Sequence, residues 1–214
     1  MKINLDVLAA VEKANAKLLV VTKYWGKGET EKIIAALRNE SCIYGWGENR
    51  VKSLEEKSLE RSETHFIGRL QSRQLPVIAA HCETIHSLAL LKHAEKLNKI
   101  IEQNSYSKLK VFIQVNVAAD PAKEGIAPID LPDFLQALAP LKNLAVVGVS
   151  SMGWGEFTES QKRQEFESLI KLRNKFIPQG LTSAGTSRDY QIALDAGIDI
   201  VRVGKGIVAE PFDV

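Results

Sequence analysis

The apolar run Leu18-Leu19-Val20-Val21-Thr22 ends on a lone lysine, Lys23, followed by Tyr24-Trp25-Gly26-Lys27-Gly28. A buried-strand pattern ending on an amine places that amine where parallel α/β folds assemble their sites, whereas an ordinary surface lysine falls more often on a helix face. Two stretches near the C-terminus offer complementary chemistry. Thr182-Ser183-Ala184-Gly185-Thr186-Ser187 is small and hydroxyl-bearing and leads into a helix beginning near Arg188-Asp189. Its amides and the positive helix end can receive an anion, with Thr186 and Ser187 adding hydroxyl donors. Val201-Arg202-Val203-Gly204-Lys205-Gly206 lets the backbone approach a ligand at its glycines and supplies a fixed positive charge at Arg202.

Gly/Ser/Thr clusters are more often turns than ligand sites. Two of them at successive strand ends, in a chain that also carries Lys23 at a strand end, read together as a phosphate cradle facing an amine. A lysine of ordinary pKa is neutral only about 0.04% of the time at pH 7, so nucleophilic use needs a lowered pKa or a pre-formed imine. A phosphate-bearing aldehyde satisfies both the amine and the cradle, which points to pyridoxal 5′-phosphate held as a Schiff base. The competing readings of Lys23 are a solvated lysine at a strand exit and a Schiff base to a sugar phosphate.

Short apolar runs alternate with helical patterns along the whole length, the sequence form of repeated βα units and a parallel sheet. The strands are expected at Leu18 to Thr22, Cys42 to Trp46, Thr64 to Ile67, Thr84 to Ser87, Val111 to Val117, Ala145 to Ser150, Leu181 to Ala184 and Asp199 to Val203. Between them, apolar residues at three- and four-residue spacing predict helices over Glu29 to Arg38, Asn49 to Leu59, Ser72 to Ala79, Ala89 to Ile101, Leu131 to Leu138, Thr158 to Lys175 and Arg188 to Ala196. Asp130 is expected to cap the Leu131 helix, with Pro132 tolerated in its first turn, and Gly197 to end the last one. Only Gly204 to Val214 follow the final strand, too little for an eighth helix in the usual order, so Leu5 to Ala16 is expected to cover that gap as an N-terminal helix. The expectation is α/β: a single-domain (β/α)8 barrel of TIM type over residues 1–214, with an additional N-terminal helix. An open doubly wound sheet is the alternative, but no GxGxxG fingerprint follows the first strand.

Composition narrows the function classes. With 45% hydrophobic and 25% charged residues among 214, the chain has an ordinary globular make-up, and no segment approaches the roughly 18 apolar residues of a membrane span. A net charge of +2, with Lys and Arg scattered, argues against nucleic acid. Cys42 and Cys82 form no paired motif and read as reduced thiols of a cytoplasmic protein, and four histidines without HxxxH or CxxC argue against a metal site.

The stretches Leu19-Val20-Val21-Thr22-Lys23, Gly47-Glu48-Asn49-Arg50-Val51, His65-Phe66-Ile67-Gly68-Arg69-Leu70-Gln71, Ile85-His86-Ser87, Gln114-Val115-Asn116 and Val201-Arg202-Val203-Gly204 occur in order and closely resemble the pyridoxal phosphate homeostasis proteins, the YggS/PROSC family. The resemblance spans almost the whole chain. It implies a barrel of the alanine racemase N-terminal type, with pyridoxal 5′-phosphate joined to Lys23 as an internal aldimine. It also implies a phosphate held by Ser187 and the backbone of Gly204 and Lys205 with Thr186 nearby, Arg202 facing the pyridine nitrogen, and Asn49 beside the ring. A permanently charged guanidinium disfavours protonation of that nitrogen and so weakens the electron sink of carbanion chemistry. Four features depart from the family pattern: Ser183-Ala184-Gly185-Thr186-Ser187 lacks two methionines, Ser150 to Gly155 replaces a Met-Thr-Ile-Pro-Pro-like loop, the last turn reads Ile207-Val208-Ala209-Glu210 instead of ending in Ile-Phe-Gly, and Lys205 stands where a small hydroxyl residue is common.

Other residues have blander readings. Glu48 and Arg50 fit capping and pairing at the start of the second helix. His65 and His86 fit hydrogen-bonded core positions as well as acid-base roles, and Tyr24 and Trp25 fit packing under a loop as well as covering a ligand. Glu156, Glu159 and Glu165 with Lys162, Arg163 and Lys171 fit a solvated helix face. The leading function is intracellular buffering or delivery of pyridoxal 5′-phosphate and related B6 vitamers to apoenzymes by a monomer, with little turnover of its own. The alternatives are an amino-acid racemase on the same barrel and a sugar-phosphate-binding barrel.

Overall fold

A computed structural model of the chain describes residues 1–120, 124–153 and 157–210. The elements run β1 (Lys2–Ile3), α1 (Leu5–Lys13), β2 (Lys17–Val21), α2 (Lys27–Leu37), β3 (Ile43–Glu48), α3 (Val51–Lys57), β4 (Thr64–Phe66), α4 (Leu75–His81) and β5 (Thr84–Leu88). They continue with α5 (Leu91–Gln103), β6 (Leu109–Gln114), α6 (Leu131–Leu138), β7 (Leu144–Ser150), α7 (Glu159–Phe176), β8 (Leu181–Thr186), α8 (Tyr190–Ala196), β9 (Ile200–Val203) and β10 (Val208–Glu210). Strands β2 to β9 close into a parallel barrel in sequence order, sealed where Leu19 of β2 pairs with Arg202 of β9. All eight strands expected from the apolar runs are present, with ends that coincide or shift by up to three residues.

Strand residues are buried on both faces, which is why they read as nearly unbroken apolar runs. Outward-facing Leu18, Val20, Val201 and Val203 pack with buried helix residues such as Ile33, Leu97 and Phe166 in the main core. The barrel interior has its own small cluster, Leu19, Phe112 and Ile200, above which the inward positions turn polar. Among the described residues no helix is long and apolar enough to cross a membrane.

Helix ends follow local chemistry. Asn4 Oδ1 accepts from the Asp6 amide at the start of α1, and Thr158 and Gln161 form a reciprocal capping box on α7. Gly197 closes α8 at φ +93°, as expected. Asp130 does not cap α6: it sits in helical conformation at the end of a 3-10 turn, Pro128 to Asp130, that feeds straight into the helix. That turn satisfies the entry backbone and leaves the carboxylate no capping geometry.

Helix α1 fills the gap left by the missing eighth helix, as expected. Beyond that, β1 and β10 form an antiparallel pair, and Asn4 donates from its amide to Ile207 O (2.9 Å) and from its side chain to Gly206 O (3.0 Å). This clasp fixes the tail immediately after Gly204. Two- and three-residue strands carry too little periodicity for sequence patterns to reveal.

Candidate functional site

At the carboxyl ends of the barrel strands lies a cleft of about 350 Å³ whose lining includes Lys23, Thr186, Ser187, Arg202 and Gly204. Residues far apart in sequence meet there because each follows or ends its own strand. Lys23 is half-buried, two positions past β2. Its amine has no carboxylate partner among the described residues and lies 5.0 Å from the centre of the Tyr24 ring. Lys205 approaches the same ring at 5.2 Å, so Tyr24 is held by two ammonium groups in cation–π contact. Lys205 offers its side chain to Tyr24 and does not line the cleft.

The expected cradle is partly committed to itself. Thr186 donates from both its amide (2.6 Å) and its hydroxyl (3.0 Å) to Asp189 Oδ1, a buried carboxylate in the turn before α8. Ser187 and Gly204 are joined to each other: the Gly204 amide donates to Ser187 Oγ at 3.2 Å, so two strand ends converge on one point where Ser187 keeps its own O–H to donate. Gly185, at φ +81°, tucks the loop against α8 so closely that a Cβ there would lie 2.6 Å from Ala193 Cβ. At Gly204 a Cβ would strike the Tyr24 ring edge.

Arg202 is buried at the cleft floor. Its guanidinium donates to Ser183 O (2.8 Å), Ser183 Oγ (3.2 Å) and Ser151 O (2.7 Å). Burial pushes its pKa down to about 10, with the Asp189 and Glu165 carboxylates opposing the fall, so the group stays charged at neutral pH. Glu165 is therefore not part of a solvated face: it is buried on the inner side of α7, and Lys162 lines the cleft, whereas Glu159, Arg163 and Lys171 are exposed. Glu156, Trp154 and Gly155 lie outside the described residues.

Asn49 sits just beyond β3 and does not line the cleft, yet its Oδ1 is buried without a hydrogen-bond partner. Ser151 Oγ beside Arg202 is likewise buried and unpartnered. A buried polar atom with no partner is costly, and acceptors orphaned beside a polar cleft fit a ligand with donors of its own. The cleft lies within the volume range of small-molecule sites, about 300–1,000 Å³.

Sequence reasoning missed Lys57. The fully buried Glu48 carboxylate accepts from the Thr22 hydroxyl at 2.5 Å and from Lys57 Nζ, while Lys57 Nζ also donates to the Thr22 carbonyl at 2.7 Å. Glu48 thus pairs with the far end of α3 rather than capping its start, and the pair clamps the residue immediately before Lys23. Its sequence signal was the nine-residue spacing from strand end to helix end, which pattern alone does not connect. His65 and His86 are buried core residues in the barrel interior, as the blander reading had it; Trp25 packs partly buried against the core, and Tyr24 stands half exposed at the cleft.

A family model described as "Alanine racemase, N-terminal domain" matches residues 1–210. A Pseudomonas aeruginosa protein named "Pyridoxal phosphate homeostasis protein" is 31% identical over 93% of this chain and 86% of its own length. The chain belongs to the pyridoxal phosphate homeostasis proteins. A Vibrio alginolyticus homeostasis protein is 29% identical over 69% of this chain, an alignment reaching 64% of that protein. Among solved structures, PipY of Synechococcus elongatus without PLP superposes with a TM-score of 0.81 at 26% identity, covering 94% of this chain and 98% of its own. PipY with PLP bound gives 0.77 at 23% identity, covering 95% and 99%, and so speaks to the fold alone. Membership in the homeostasis family and the alanine-racemase type of barrel are therefore settled as the sequence motifs implied.

Proposed function

We propose that this barrel holds pyridoxal 5′-phosphate as tethered cargo, for buffering or delivery to apoenzymes, with Lys23 as the covalent anchor. The observation that carries the reading is the meeting of an amine (Lys23), a hydroxyl donor braced by the Gly204 amide (Ser187) and a permanent cation (Arg202) in one cleft. The names of the curated relatives support the choice of ligand.

The bound cofactor supplies an aldehyde and, in enzymes, an electron sink. Lys23 would hold the aldehyde through its amine, which can form a covalent tether only when deprotonated. The Ser187 O–H and the Lys205 backbone amide would donate to the phosphate, with the Gly204 amide exchanging Ser187 Oγ for it, and Thr186, engaged with Asp189, would stiffen the loop that carries Ser187. Asn49, which stands behind the lining of the cleft, would reach the ring side with its unpartnered Oδ1. Arg202 would hold the ring nitrogen unprotonated by its positive charge, which favours storage over turnover. The same reading takes the chain as one cofactor-binding unit, monomeric and cytoplasmic, with B6 vitamers and recipient apoenzymes as partners.

Purified protein loaded with the cofactor should show a visible absorption band at neutral pH, and borohydride reduction followed by peptide mapping should fix the label on Lys23. Covalent retention by Lys23→Ala would refute the anchor. Racemisation of a common amino acid that Lys23→Ala abolishes would replace storage by catalysis.

A further inference from the structure

The barrel interior beneath Arg202 contains a connected row of polar side chains that the cofactor reading does not use. His65 Nδ1 lies 3.0 Å from His86 Nε2, and His86 Nδ1 lies 2.9 Å from Ser183 Oγ, which accepts from Arg202 Nη1 at 3.2 Å. All four residues are buried, and His65, His86 and Ser183 do not line the cleft. Phe112 stacks on His86 with ring centres 4.3 Å apart, and Tyr44 lies against His65 at 4.9 Å.

The direction of each bond follows from what each group can do. A guanidinium only donates, so Ser183 Oγ accepts from Arg202 and its own proton points to His86 Nδ1. That makes Nδ1 of neutral His86 the acceptor and Nε2 the protonated nitrogen, which donates to His65 Nδ1. His65 then carries its proton on Nε2. The reverse order would leave the Ser183 proton without an acceptor. Both imidazoles are held neutral: burial pushes His65 down to about 3, with Lys110 adding to the fall, and burial, His65 and Arg202 push His86 well below its ordinary value.

We propose that Ser183, His86 and His65 form a one-way hydrogen-bond chain that acts as the positioning support of Arg202, holding the guanidinium in its cleft-facing pose. Every group in the chain turns its acceptor atom toward Arg202 and its proton away, so the chain favours a charge that the barrel interior has withdrawn from water. The Ser183 and Ser151 carbonyls fix the plane of the guanidinium, and the Ser150 hydroxyl donates to the His86 carbonyl, tying the strands that carry the chain. The proposal rests on the pyridoxal phosphate reading only for what Arg202 faces.

The test starts with protein free of cofactor. Imidazole 15N shifts should report the neutral Nε2–H tautomer for both His65 and His86 at pH 7, and the Arg202 guanidinium protons should exchange slowly. Ser183→Ala should shift the His86 tautomer and speed that exchange about tenfold, the factor carried by one hydrogen bond of ordinary strength. In loaded protein the same variant should weaken cofactor binding by a similar factor and move the visible band while leaving the label on Lys23. An Nδ1–H tautomer on either ring, or guanidinium exchange unchanged in Ser183→Ala, overturns the proposal whether or not the cofactor binds. Absence of any visible band in the wild type would sink the cofactor reading and leave the proton measurements to decide this one.

Discussion

Replacing Lys57 by Met leaves the Glu48 carboxylate at zero exposure with the Thr22 hydroxyl as its one remaining donor, because Glu48 Oε2 already has none. Removing one partner of a buried ion pair destabilises a protein by about 3–5 kcal/mol, since the uncompensated charge stays inside. Taking a urea dependence of about 3 kcal/mol/M for a chain of this size, the midpoint should fall by about 1 to 1.7 M. The control is Glu48→Leu/Lys57→Met, which removes the charge along with its partner. The Thr22 carbonyl keeps the Trp25 amide at 3.1 Å and the Thr22 hydroxyl can turn to Gly47 O at 3.5 Å, so little is orphaned in the double variant. It should recover at least half of the lost stability, measured by circular dichroism in urea titrations. A double variant as unstable as Lys57→Met would show that stranded charge is not the cause. A single variant with an unshifted midpoint would show that the pair contributes nothing.

Two further outcomes are expected. His65, held near pKa 3, and His86, held below its ordinary value, are neutral when folded, whereas the unfolded chain protonates them near pH 6.5. Stability is therefore fully present above that pH and is lost as pH falls through 6.5, at up to about 1.4 kcal/mol per unit for His65, or ~2.7 kcal/mol by pH 4.5, with His86 adding a loss of the same sign. Urea midpoints that stay flat between pH 7.5 and 4.5 would contradict the buried neutral state. Gly204→Ala forces the Tyr24 ring off its position, with Cδ2 only 3.0 Å from the new carbon. An off-rotamer side chain costs about 0.5–1.5 kcal/mol, so cofactor affinity should drop up to about tenfold by titration, and Tyr24→Ala should restore it. No rescue would place the strain in the backbone instead.

The barrel was legible because its strands are buried on both faces and its helices on one. Apolar runs such as Leu18 to Val21 and Ala145 to Ser150 could be little else, and the αL stop at Gly197 was written in one residue. Lys23, Ser187, Arg202 and Gly204 were legible as a cluster because each ends or follows a strand, and strand ends of a parallel barrel share one rim. Less was visible where contacts are long-range. Glu165 belongs to an α7 segment of charged residues, and only its inward rotation buries it. Lys57 looked like any helix-end lysine, yet it crosses to Glu48 and the Thr22 carbonyl. Thr186, read as a ligand donor, gives both its donors to Asp189 three residues on, a turn whose closure depends on how α8 packs.

The sequence by itself determined the alternation of strand and helix, the placement of an amine and a hydroxyl-rich loop at one rim, and membership in a family of cofactor-binding barrels. Only the tertiary structure decided which polar groups are committed to one another. His65 from β4, His86 from β5, Ser183 from β8 and Arg202 from β9 become neighbours because barrel closure points their side chains to a common axis. Hydrogen-bond direction and buried charge are properties of such meetings, set by a few tenths of an ångström between residues up to 137 positions apart.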